Sequence, residues 1–98
     1  IARSSFDIGH NMLKVLKNPV DNTTATSGDV NVSDLNSSVS AGSAEIAGNL
    51  TVKNNGSFMT SQGQTSTGNT SVDGSVTLEN KGIVQVAGDF KAGAIERI

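Results

Sequence analysis

Ile46-Ala47-Gly48-Asn49-Leu50-Thr51-Val52 is the stretch on which the fold of this chain turns. Ile46, Leu50 and Val52 share one phase, and polar residues fill the other. The same pattern returns as Val72-Asp73-Gly74-Ser75-Val76-Thr77-Leu78 and as Val86-Ala87-Gly88-Asp89-Phe90-Lys91-Ala92. Gly28-Asp29-Val30-Asn31-Val32 is a shorter copy, and Gly82-Ile83-Val84-Gln85-Val86 a shifted one. Gly56-Ser57-Phe58-Met59-Thr60 and Gly68-Asn69-Thr70-Ser71-Val72 are degraded copies. Apolar residues at period two mark strands with one buried face. A Gly inside such a run marks a bend or a close backbone approach. The pattern therefore predicts an inward-facing core of Val30, Val32, Ile46, Leu50, Val52, Val72, Val76, Leu78, Val84, Val86 and Phe90. It places Gly48, Gly74 and Gly88 at the bends.

The distance between these units predicts how the strands associate. In the C-terminal half the Gly residues recur about every six to eight positions. One coil of a single-chain β-solenoid takes roughly 20 residues or more. Units this short fit narrow strands that each cross one face of a prism, with three chains supplying the three faces. The expected fold is all-β: a repetitive β-helix wound as an intertwined homotrimeric needle. A single-chain solenoid ranks second and a sandwich of hairpins third.

The chain divides near Gly28 into a non-repetitive segment, 1–27, and a repeat region, 28–98. Within the first, Ser5 to Lys17 reads equally well in two ways. Ile8, Met12, Val15 and Leu16 fall on one helical face behind a Ser5 or Asp7 cap, whereas Gly9 and the alternation of Leu13 with Val15 suit a strand. Asn18-Pro19-Val20-Asp21-Asn22 reads as a turn, and Thr23 to Ser27 as a polar linker. Ser61-Gln62-Gly63-Gln64-Thr65-Ser66-Thr67 has no large apolar residue. It is either a loop or a stretch whose interior is filled by polar side chains.

Composition narrows the function classes. Of the 98 residues 35 % are hydrophobic, and Phe6, Phe58 and Phe90 are the only aromatics. A lone domain with so thin a core has little to set against chain entropy, so neighbouring chains are expected to contribute. A net charge of −2 without a basic stripe argues against nucleic acid as a partner. No apolar run is long enough to span a membrane, and no leader-like stretch follows Ile1. Ile at position 1 points to a fragment or a processed product. Without Cys there are no disulfides or thiolate metal sites.

The residues offer little chemistry. His10 is the sole His. Asp7, Ser4 and Ser5 lie near it in sequence, but no nucleophile motif surrounds them, and its default role is at the surface or in packing. The carboxylates Asp7, Asp21, Asp29, Asp34, Glu45, Asp73, Glu79, Asp89 and Glu96 are scattered. Asp29, Asp73 and Asp89 sit beside Gly, where Asp bonds local backbone. They are too sparse for calcium repeats, and no aromatic platform makes a glycosidase cleft of any pair. Six Asn-x-Ser/Thr sequons follow from the abundance of these residues. The expectation is a chain that is not an enzyme, with no catalytic residue, no metal site and no cofactor.

The units at Ala44 to Val52, Val72 to Leu78 and Val86 to Ala92 resemble repeats of the central spike proteins of contractile phage tails and of the related type VI secretion spikes. The resemblance covers about Gly28 to Ala92. It implies a trimeric β-helical needle and a tail-tip or membrane-puncturing role. It further implies a virion location, other tail components as partners, and the host cell envelope as a target. Such spikes often end in an iron-binding His-x-His tip. Here His10 lies outside the repeats and the chain ends Gly93-Ala94-Ile95-Glu96-Arg97-Ile98, so no metal tip is assigned. The expected function is that of a structural protein, a rigid segment of a phage tail spike or fibre acting in host attachment or membrane puncture. The alternative is a segment of a secreted adhesin, extracellular or on the bacterial surface.

Overall fold

The computed structural model describes residues 1–17 and 28–98. The turn expected at Asn18-Pro19-Val20-Asp21-Asn22 and the linker Thr23 to Ser27 lie outside the described residues. Among those residues there are strands and no helix. The strands are β1 (Ser5–Asp7), β2 (Met12–Val15), β3 (Val30–Ser33), β4 (Ser38–Ala41) and β5 (Ser43–Ile46), followed by β6 (Leu50–Lys53), β7 (Ser57–Thr60), β8 (Thr70–Glu79), β9 (Ile83–Gln85) and β10 (Phe90–Arg97). Of the two readings for Ser5 to Lys17, the strand is the one adopted.

Every pairing between these strands is parallel. One sheet has four strands in the order β1-β4-β7-β9. The other has six, ordered β2-β5-β8-β6-β3, with β10 on the remaining side of β8. The long β8 spans two short neighbours: Thr70, Ser71 and Val72 pair with β5, and Val76 to Glu79 pair with β6. Parallel neighbours cannot be joined by a tight hairpin and need a crossover. Here the crossover from β3 to its neighbour β6 runs through β4 and β5, so the chain passes through the other sheet before it returns.

This topology corrects the expectation of a repetitive β-helix wound as an intertwined homotrimeric needle. The ladders join strands of one chain, in two open sheets, within extents of 37 × 33 × 24 Å. Nor does one coil length repeat. Val30 lies opposite Leu50, 20 residues on; Leu50 lies opposite Val76, 26 on; Ser5 lies opposite Ser38, 33 on. The short Gly-to-Gly distance misled because it measures strand to next strand around the chain's path. The ladder partner of each unit stands several units away.

The core lies between the two sheets. Val32, Val39, Ala41, Ala44, Ile46, Leu50, Val52, Phe58, Val72 and Val76 are all buried. Parallel register stacks them in columns: Val30, Leu50 and Val76 form one, and Val39, Phe58 and Val84 another. Of the residues expected to face inward, Val30, Leu78, Val84 and Val86 are half-buried. Phe90 is 37 % exposed, because β10 pairs with β8 on one side and no other strand among the described residues pairs with its outer edge. Val39, Ala41 and Phe58 belong to the core although the strongest repeats do not contain them.

Candidate functional site

The glycines of the repeats bring successive passes of the chain into close contact. Gly48 lies in the bend between β5 and β6, and Gly88 in the bend before β10, while Gly74 sits inside β8 without breaking it. Gly48 N–H donates to the Gly28 carbonyl (3.0 Å), and Gly74 N–H donates to the Gly48 carbonyl (2.9 Å). A Cβ on Gly74 would overlap Asn49 Oδ1 and crowd the Gly48 carbonyl. A second corner repeats the arrangement. Gly68 N–H donates to the Gly42 carbonyl (2.8 Å) and Gly88 N–H to the Gly68 carbonyl (2.9 Å).

The residue after each glycine extends the ladder through its side chain. Asn49 N–H donates to Asp29 Oδ1 (2.8 Å), and Ser75 N–H donates to Asn49 Oδ1 (2.9 Å). At the second corner Asp89 N–H donates to Asn69 Oδ1 (2.8 Å). A third corner uses amide against amide: Asn80 Nδ2–H donates to Asn54 Oδ1 (2.9 Å). Asn54, Asn55 and Asn80 there hold φ of 54°, 66° and 45°, a region Asn tolerates better than most residues. The side chains of Asp29, Asn49 and Asn69 thus clamp one pass to the next. Replacing Asn49 by Ala removes the acceptor for Ser75 N–H. The expected cost is about 1 kcal/mol, read as a lower denaturation midpoint together with faster hydrogen exchange at the Ser75 amide.

Titratable groups do not converge. Among the described residues no group of three His, Asp or Glu side chains is placed to hold a metal ion. Asp7 Oδ1 accepts from Gly9 N–H (2.8 Å), Arg3 approaches Asp34 at 3.9 Å, and Lys14 approaches Glu45 at 3.9 Å, all near the surface. Asp21 lies outside the described residues.

His10 is not remote from the repeat region, as its sequence position suggested. Its Nδ1 lies 3.0 Å from Ser66 Oγ, and its ring packs against Gly63. Its backbone carbonyl lies where a side chain on Gly42 would stand. Ser66 Oγ also lies 2.9 Å from the Ser61 carbonyl, so the hydroxyl links the ring to the backbone of the segment. The imidazole anchors the segment 61–67.

That segment is an irregular excursion between β7 and β8. Gln62 and Thr67 form an antiparallel bridge and Gly63 N–H donates to the Ser66 carbonyl (3.0 Å), which makes a small exposed hairpin. Its base is held by buried Thr60, whose Oγ1 donates to the Gly68 carbonyl (2.6 Å) and accepts from Ala87 N–H (3.2 Å). The expected choice between loop and polar-filled strand is decided as a loop. Apart from it, the β1 end of the molecule carries an apolar recess of ≈ 240 Å³ lined by residues including Phe6, Leu13, Val30 and Val39.

Compared with known proteins, the chain matched no family model, no curated protein and no solved structure.

Proposed function

We propose that this chain is a structural element, a stiff segment of a phage tail spike or fibre that takes part in host attachment or membrane puncture. The observation that carries the reading is the double connection between successive passes. Backbone ladders run through both sheets, and the Asx and Asn side chains at three corners add a second set of bonds in the same direction. Such a stack resists compression and bending, because distorting one pass strains hydrogen bonds and side-chain columns in its neighbours at once.

The exposed hairpin at 61–67 favours a second reading, a segment of a secreted bacterial adhesin. It presents Gln62, Gln64 and Thr65 on a base that Thr60 and His10 hold in place, an arrangement suited to recognition by hydrogen bonding. Immunogold labelling separates the two readings. An antibody raised against the folded chain and applied to the source culture is expected to mark tail structures of phage particles. Label on the cell envelope selects the adhesin, and label confined to the cytoplasm overturns both.

A further inference from the structure

Among the described residues β10 is the longest strand with an unpaired edge. Its eight residues, Phe90 to Arg97, pair with β8 on one side and with no other strand among the described residues. An edge this long, without Pro and with one register shift between Ala92 and Ala94, is a template for another strand. Apolar side chains crowd the same end: Phe90 is 37 % exposed, Ile83 57 %, Ile95 63 % and Ile98 70 %. Native edges are commonly blunted by charge, and the charges here are Lys91, Glu96 and Arg97.

The placement of those charges matches the strand to itself. Register with β8 puts Phe90, Ala92, Ile95 and Arg97 on the columns of Thr70, Val72, Val76 and Leu78. Lys91 and Glu96 follow Ser71 and Thr77 on the outer face. Laid antiparallel on a second β10 about Gly93 and Ala94, the strand sets Lys91 opposite Glu96 of the second copy. It sets Ala92 opposite Ile95 and Phe90 opposite Arg97. Each pair keeps both members on the same face of the extended sheet, and each occurs twice by symmetry. Opposite charges directly across an antiparallel pair are favourable, and Arg over an aromatic ring adds a cation–π contact. By contrast, a head-to-tail stack that prolongs the existing columns sets Lys91 over Lys14, since Lys14, Glu45, Ser71 and Lys91 share one column.

We infer that two copies of this chain associate end to end through their β10 edges, as an antiparallel strand pair about a twofold axis at Gly93 and Ala94. The association joins the two six-stranded sheets into one continuous sheet and covers Phe90 and Ile95. It doubles the length of the stack without altering either copy.

Sedimentation and light scattering over a concentration series test this with the 98-residue chain. The expected mass rises to twice 10.0 kDa. Lys91→Glu and Glu96→Lys each put two like-charged pairs in place of two attractive ones. Each is expected to weaken association about 30-fold. The double variant Lys91→Glu/Glu96→Lys exchanges the charges and is expected to restore the wild-type mass. Both positions are exposed, so circular dichroism should be unchanged throughout. Zero-length carbodiimide coupling of wild type mixed with isotope-labelled chain should join Lys91 of one copy to Glu96 of the other, a readout that depends on no variant folding. A wild type that stays monomeric or forms a trimer overturns the inference. So do single variants that associate normally, a double variant as weak as the singles, or an absent Lys91–Glu96 cross-link.

Discussion

Gly82→Ala is expected to destabilise the chain by about 3 kcal/mol or more, which for a domain of this size lowers Tm by roughly 15 °C. Gly82 is buried in the corner between β8 and β9. A Cβ there would overlap the Val52 carbonyl oxygen and crowd the Lys53 amide nitrogen. Both belong to β6, which is held by ladders to β3 and β8 on its two sides. Backbone held in this way cannot move aside as a flexible side chain does. Two bonds also fix the corner: Gly82 N–H closes the turn onto the Glu79 carbonyl (3.1 Å) and Ile83 N–H donates to the Gly56 carbonyl (3.0 Å). Gly63→Ala is the contrasting substitution. The atoms its Cβ would meet first belong to the exposed His10 ring, which can rotate away, and the expected loss is within about 0.5 kcal/mol. Thermal melts of the two variants beside wild type measure both. Equal melting points for all three proteins would show that passes do not approach as closely as this corner requires.

Phe58→Ala is expected to cost about 3–5 kcal/mol, a large share of the total stability of a small domain. Phe58 is fully buried, and it is the one aromatic ring in the core. It stacks between Val39 and Val84 in adjacent strands of the four-stranded sheet. Truncation leaves a cavity that laddered strands cannot collapse to fill. Met59, the next residue, is 39 % exposed on the outer face, and Met59→Ala is expected to cost under about 1 kcal/mol. Urea denaturation reads the difference as a midpoint shift at constant slope. A Met59 loss as large as that of Phe58 would mean that β7 presents its other face to the core.

The legible parts of the fold are the ones governed by period two. Strand character and facing could be read wherever apolar residues alternate strictly, so Val32, Ile46, Leu50, Val52, Val72 and Val76 stand where alternation places them, in the buried core. Phe58 was harder to read, since Met59 beside it breaks the alternation. Ser38-Val39-Ser40-Ala41 alternates as cleanly as the repeats, but it has no glycine in the unit's usual place and so falls outside the repeat pattern. Phe90 obeys the pattern and is still part-exposed, because alternation says which face a residue occupies and not whether another layer covers it.

The candidate functional features were less legible, for a physical reason of another kind. His10 and Ser66 are 56 residues apart and meet because the corner at Asn11 stacks on Gly42, and Gly42 on Gly68 at the base of the hairpin. Thr60 reads as one more polar residue in a Thr-rich chain, and its clamp on Gly68 and Ala87 exists only once two passes are superposed. Asp29, Asn49, Asn69 and Asp89 look in sequence like ordinary turn residues.

By itself the sequence determined that the chain builds strands with one apolar face, punctuated by Gly-Asx corners. Those properties follow from local sterics and from a side-chain period shorter than any loop. Which strand lies beside which was decided only by the tertiary structure. A period-two pattern is equally satisfied by a neighbour from the same chain or from another, parallel or antiparallel, because each presents the same apolar face and the same row of backbone donors and acceptors. The choice of parallel partners 20, 26 or 33 residues away within one chain rests on corner geometry. There Asn54, Asn55 and Asn80 at positive φ turn the chain toward the next face, and glycines admit the neighbouring pass to backbone contact.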